Sequence, residues 1–176
     1  MFVDRDGVIV EHRREYVRTW SDVRFLPGAL AALARLGADR PVVIVSNQSL
    51  VGRGMLGPAA ILQLHCRIVE VVVASGAVVT ASYICPHAPV QDCGCRKPRP
   101  GLLVTAAGDL GLSLPSSWMV GDSMSDLDAG LAAGARPVLV STGRGRRQEA
   151  LLGATGARCP VVADLAAAAD LILAGA

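Results

Sequence analysis

At 176 residues the chain can bury one full hydrophobic core but hardly two, so a single domain over 1–176 is expected. Its 52% hydrophobic and 18% charged residues are the composition of a folded protein and not of a disordered one. A net charge of +2 with 3% aromatic residues excludes a broad basic, base-stacking surface, so neither nucleic acid nor an anionic membrane is an expected partner.

The chain opens on Phe2-Val3-Asp4-Arg5-Asp6-Gly7-Val8-Ile9-Val10, an apolar run interrupted by two carboxylates and a glycine. Burial alone does not select those charges. Two structures fit: a hairpin with a solvated Asp-Gly turn, or a central strand that brings Asp4 and Asp6 to the sheet edge where α/β folds bind ligands. After a charged loop over 11–24, Pro27-Gly28 leads into a helix with Leu30, Leu33 and Leu36 on one face, and Gly37 stands where it would stop. Residues 42–45 read as a second buried strand with Ser46-Asn47-Gln48 at its end. Gly52, Gly54 and Gly57 punctuate a loop before Pro58, which belongs in the first turn of a helix reaching Ser75. A third strand over 78–84, a helix from Gly101 to Leu110 and a strand over 118–122, finishing in a carboxylate, follow. A helix over 127–133, a strand over 138–140, a helix over 147–152, a strand over 161–162 and a helix over 165–173 complete the chain. This alternation implies right-handed crossovers and a parallel sheet with helices on both faces.

The most apolar region, 68–84, is broken by Glu70, Ser75, Gly76, Thr80 and Ser82, so it is not a bilayer span of about twenty apolar residues. Asp4, Arg5 and Asp6 come too early for a secretory signal, and a soluble cytoplasmic protein is expected.

Four polar groups end successive strands: Asp4 with Asp6, Ser46 with Asn47, the loop reaching Arg96 and Lys97, and Asp122 with Asp126. Parallel strands bring all four to one rim. Clustered carboxylates repel one another and an anionic substrate unless a cation lies among them, and oxygen ligands with room for water and phosphate favour magnesium. A helix cap is the plainer account of Gly121-Asp122-Ser123-Met124-Ser125-Asp126. A second constellation is Cys85-Pro86-His87 followed by Cys93-Gly94-Cys95. Three sulfurs and one imidazole in so short a loop match a closed, structural Cys₃His zinc site better than a disulfide framework. Zinc there would hold Arg96 and Lys97, next to Cys95, toward the rim.

Asp4-x-Asp6-Gly7, then Ser46-Asn47, Lys97-Pro98 and Gly121-Asp122-x-x-x-Asp126, in that order, resemble the four motifs of the haloacid dehalogenase (HAD) superfamily of phosphotransferases. The resemblance covers about residues 2–142 and implies a Rossmann-like α/β fold. It implies Asp4 as nucleophile forming an aspartyl-phosphate, and Asp6 as general acid and base. Ser46 and Lys97 would grip the phosphoryl oxygens. Asp4, the carbonyl of Asp6 and Asp122 would hold magnesium, with Asp126 orienting rather than ligating. The zinc loop followed by Arg-Lys-Pro resembles two branches, the heptose bisphosphate phosphatases and the histidinol-phosphate phosphatases. Asn47-Gln48-Ser49 with Gly52-Arg53-Gly54 favours the first. A phosphorylated sugar is therefore the expected substrate and a phosphorylated amino alcohol the alternative. Ser123 stands where the heptose enzymes often carry lysine.

The intervals between motifs hold only ordinary βα units, so no cap domain is expected and the site should be open, on a monomer. Substrate contacts are then expected from Asn47, Gln48, Arg53, Arg96 and Ser123, the two arginines suiting a second phosphate or sugar hydroxyls. His12 and the run Arg144, Arg146 and Arg147 read as solvated, His65 as structural or exposed, and Cys66 and Cys159 as small buried apolar residues. A zinc-loop binding module on a phosphatase scaffold is the reading from another class; intact Asp4, Asp6, Lys97 and Asp122 count against it.

Overall fold

The computed structural model describes residues 1–155 and 159–175. In chain order these form β1 (Phe2–Val3), α1 (Ala29–Asp39), β2 (Val43–Asn47), α2 (Pro58–Ala74), β3 (Ala81–Cys85), α3 (Gly101–Leu110), β4 (Trp118–Gly121), α4 (Met124–Ala132), β5 (Arg136–Val140), α5 (Gly145–Thr155), β6 (Val161–Val162) and α6 (Leu165–Leu173). All strand pairings are parallel, in the order β3-β2-β1-β4-β5-β6.

Side chains alternate across the strands, which explains the unbroken apolar runs: both faces of the sheet are buried. Val3, Ile44, Val120 and Val140 pack with the apolar stripes of α1, α2 and α6. Phe2, Val43, Val45 and Met119 face α3 and Ala129 of α4, and Leu139 joins Leu127 and Leu152. A strand of only two residues, β1, lies inside the sheet between β2 and β4. Phe2 is in register with both Val43 and Met119, and Val3 with both Ile44 and Val120. Sheet order therefore reverses beside β1, and the crevice at such a switch point lies at the carboxyl ends of β1 and β4, where Asp4 and Asp122 stand.

Four expectations from local pattern are corrected. Gly37 does not stop α1, which runs on to Asp39; a Cβ there would lie 2.6 Å from the Val78 carbonyl oxygen, so the glycine permits contact between helix and chain. The third strand begins at Ala81 and not at 78, although the Thr80 N–H still donates to the Val42 carbonyl at 2.8 Å. Helix α4 starts at Met124, three residues before its apolar stripe, because Ser123 and Asp126 form a capping box. Cys66 is exposed on α2, whose buried stripe is Ile61, Leu64, His65, Ile68 and Val72. Among the described residues no helix is long and apolar enough to cross a membrane.

Candidate active site and metal loop

The expected rim exists. Asp4, Asp6, Ser46, Asn47, Arg96 and Lys97 line one cavity of about 180 Å³, with His12, Arg13, Tyr16, Ser49, Ser125, Asp126 and Arg144. Asp4 is buried, its backbone N–H still in the sheet ladder through Val120. The Lys97 ammonium donates to Asp4 Oδ1 and to the Val45 carbonyl at 2.8 Å each, and contacts Asp126 Oδ1 at 2.6 Å. All three of its protons are engaged. Burial pushes the Asp4 carboxyl up to about 7, against the pull of Lys97 and with the repulsion of Asp126, Asp122 and Asp6. Burial also disfavours the lysine cation, yet Asp126 and Asp4 hold it above the ordinary lysine range.

Asp4, Asp122 and Asp126 offer oxygens that all lie within 4.8 Å of one another, and all three are buried. Burial raises Asp122, and Asp126 raises it further, while Arg144 opposes. Asp126 is already committed to Lys97 and to the backbone N–H and hydroxyl of Ser123. Asp4 holds Lys97 by Oδ1, and among the described residues Asp122 Oδ1 meets only the 3.4 Å contact from Arg144, so these two are the better ligands for an added cation. Two glycines make room for the Asp122 carboxylate itself: a Cβ on Gly7 (φ +99°) or Gly143 (φ +57°) would fall 2.1 or 2.2 Å from Asp122 Oδ2. A hard, oxygen-only donor set with room for waters fits magnesium.

Asp6 faces the same cavity but stands apart from the acid cluster. Arg5 grips it as a fork, Nε to Oδ1 and Nη2 to Oδ2 at 2.9 Å each, and the Gln48 amide donates to Oδ2 at 2.8 Å. Burial opposes ionisation, but the Arg5 charge and these hydrogen bonds hold the carboxyl below the usual range. The other amide hydrogen of Gln48 goes to Ser46 Oγ at 2.9 Å. Asn47 clamps the backbone of Lys97 from both sides, donating to its carbonyl at 3.0 Å and accepting from its N–H at 3.1 Å.

Three residues expected to contact substrate lie outside the cavity lining. Arg53 is exposed and Gln48 is buried behind Asp6 and Ser46, and neither lines the cavity. Ser123 is buried in the capping box, and Ser125 is the serine of that stretch that reaches the cavity. Two arginines were not expected in the site. Half-exposed Arg144 is no part of a merely solvated run: its backbone N–H donates to Asp122 Oδ2 at 2.8 Å and its guanidinium lies 3.4 Å from Oδ1. Its place after β5, at the same rim as the other strand ends, was the available signal. Arg5 is fully buried, which no local pattern announces.

The cysteines and histidine also converge. Cys85, Cys93 and Cys95 lie 3.4 to 3.6 Å apart sulfur to sulfur, and His87 Nδ1 lies 3.6 Å from Cys85 and 3.3 Å from Cys95. Neighbouring donors of a tetrahedral zinc site, with bonds of about 2.3 Å to sulfur and about 2.0 Å to nitrogen, are about 3.5–3.8 Å apart. The thiols are free, so four ligands without an open position fit a structural ion. The loop is tied to the rim: the Arg96 guanidinium donates to Ser49 Oγ at 2.6 Å and to the His87 carbonyl at 3.3 Å, and the Gly52 N–H to the Pro86 carbonyl at 2.8 Å.

His65, mid-α2 and 3% exposed, is held down to about 4 by burial and by the Arg5 cation, with Asp6 opposing. The unfolded chain therefore takes up this proton first. Stability from the neutral ring is complete above the unfolded value near 6.5 and is lost as pH falls toward 4. Urea unfolding at pH 7.5 and 4.5 should show wild type losing up to roughly 3 kcal/mol more than His65→Asn.

An open α/β edge carrying three buried carboxylates that could hold a metal ion, beside a buried lysine, defines a haloacid dehalogenase-type phosphatase, and residues 94–168 match the HAD-hydrolase-like family. The D-glycero-beta-D-manno-heptose-1,7-bisphosphate 7-phosphatase of Pseudomonas putida is 40% identical over 148 residues, 84% of this chain and 85% of that protein. The D-glycero-alpha-D-manno-heptose-1,7-bisphosphate 7-phosphatase of Mycobacterium tuberculosis is 41% identical over 133 residues, 73% of this chain and 69% of that protein. The crystal structure of D,D-heptose 1,7-bisphosphate phosphatase from B. bronchiseptica with magnesium and phosphate superposes with a TM-score of 0.91 at 38% identity, covering 100% of this chain and 98% of that one. The chain belongs to the haloacid dehalogenase-like hydrolases, in one family with these phosphatases.

Proposed function

We propose that this chain is a magnesium-dependent D-glycero-D-manno-heptose 1,7-bisphosphate 7-phosphatase, acting as a single cytoplasmic domain with a structural zinc. The observation that carries it is the Asp4-Lys97-Asp122-Asp126 cluster at the switch point of a sheet shared with the magnesium- and phosphate-bound relative. One chain supplies every group of the site, so a monomer suffices. Free thiols as zinc ligands suit the reducing cytoplasm.

Asp4 attacks the 7-phosphorus, forming an aspartyl-phosphate as the bond from phosphorus to the sugar oxygen breaks. Asp6, ionised in the free site, takes up a proton as the anionic phosphate enters the cavity and gives it to that oxygen. In the second step Asp6, in the ionised state that Arg5 and Gln48 favour, takes a proton from water, whose oxygen attacks phosphorus and restores the Asp4 carboxylate. Lys97 and Ser46 hold the equatorial oxygens. Asp4, Asp122 and the Asp6 carbonyl would hold magnesium, which supplies charge neutralisation at the phosphoryl group. Arg96, with Arg13 and Arg144 around the cavity, suits the second phosphate.

Phosphate release from the two anomers of the heptose bisphosphate and from histidinol phosphate tests the reading. At least one anomer should be hydrolysed with a kcat/KM about tenfold or more above that for histidinol phosphate. Equal or faster turnover of histidinol phosphate overturns the heptose assignment.

A further inference from the structure

In the proposed reaction Arg5 favours ionised Asp6, and the buried His65 behind it has no task. Arg5 uses Nε and Nη2 on Asp6; its remaining nitrogen, Nη1, lies 3.4 Å from Nδ1 of His65, sixty residues away on α2. A guanidinium has donors only, so Nδ1 is the acceptor and the ring proton sits on Nε2. His65 Nε2 is buried and has no hydrogen-bond partner in the structure. An apolar residue would fill that place on the α2 stripe without stranding a donor. What the imidazole adds is the acceptor that orients Arg5.

We propose that Arg5 and His65 form a positioning pair for Asp6: His65 Nδ1 aims the guanidinium, and the guanidinium fixes both carboxylate oxygens of Asp6 at the cavity wall. The pair rests on the phosphatase reading for its effect on rate. It touches neither the cluster around Lys97 nor the transferred group, so its loss should act on turnover and not on affinity. Arg5→Lys keeps the charge but not the fork, and should lower kcat by about 30-fold or more with KM changed less than threefold. His65→Leu, similar in bulk but without an acceptor, should lower kcat by about fivefold or more. In His65→Asn the side-chain oxygen takes the place of Nδ1, and kcat should return to within about twofold of wild type.

Nitrogen NMR of the His65 ring supplies a measure independent of activity. In wild type at pH 7.5 it should show the neutral Nε2–H form with a hydrogen-bonded Nδ1, and in Arg5→Lys that hydrogen bond should be gone. A ring protonated on Nδ1 overturns the pair, as do equal kcat losses in the folded His65→Leu and His65→Asn variants, which would reduce His65 to packing. An inert wild type with the expected ring signature would overturn the phosphatase assignment and leave the Arg5–His65 contact standing.

Discussion

Asp4→Asn should abolish turnover, lowering kcat by about 10⁴-fold or more, without unfolding the protein. On the proposed mechanism the substitution removes the group that attacks phosphorus, and an amide is too weak a nucleophile to replace it. The fold should survive because Asn keeps an acceptor for Lys97, and Lys97 keeps Asp126 and the Val45 carbonyl. Burial and the acids around it raise Asp4 above its unfolded value near 3.8 to about 7, despite Lys97. The unfolded chain releases this proton first, so the carboxylate costs stability increasingly as pH rises from about 4 to 7. Relative to wild type, the thermal midpoint of the metal-free variant should therefore rise across that window. A variant that retains turnover would remove Asp4 from the reaction, and one that fails to fold would show that its charge is structural.

Disrupting the metal loop should have the second largest effect. Purified protein should contain one zinc per chain, and Cys93→Ser, or prolonged chelation, should release it with a loss of several kcal/mol in urea unfolding. The ion would bind around thiols that are otherwise awkward neighbours: burial pushes Cys85 up to about 12 and raises Cys95, whereas Cys93, despite some desolvation, is lowered by hydrogen bonds from the other two thiols. Because Arg96 donates to the His87 carbonyl and Lys97 follows it in the chain, the loss should reach the substrate. KM should rise about tenfold or more, with kcat falling less. A zinc-free wild type with normal stability would sink the assignment of the loop.

Much of this site was visible in the chain because its acids sit where apolar runs end. Asp4, Ser46 and Asp122 follow β-branched or apolar stretches, and a parallel sheet has only one edge to which such endings can lead. The loop cluster was legible for a simpler reason, since Cys85, His87, Cys93 and Cys95 are close in sequence as well as in space. Arg5 was not legible, because a pair with the adjacent Asp6 reads in sequence as solvated, and its other contact, His65, is sixty residues away. Arg144 was mistaken for solvated because its link to Asp122 depends on the left-handed turn at Gly143, which places the next backbone N–H at the carboxylate. Ser123 and Ser125 are nearly equivalent as sequence, and only the capping box decides which one is buried. Gly37 misled for the opposite reason: its use lies in the close approach of the chain at Val78 and not in its own helix.

The three engaged protons of Lys97 have one further consequence. An arriving phosphoryl oxygen finds no spare hydrogen on that ammonium unless a present acceptor withdraws. In the proposed reaction Asp4 is that acceptor, since joining phosphorus turns its carboxylate into an uncharged acyl link. The lysine then exchanges one anion for another without moving far, a resident counterion handed from enzyme to substrate and, once water has cleaved the link, handed back.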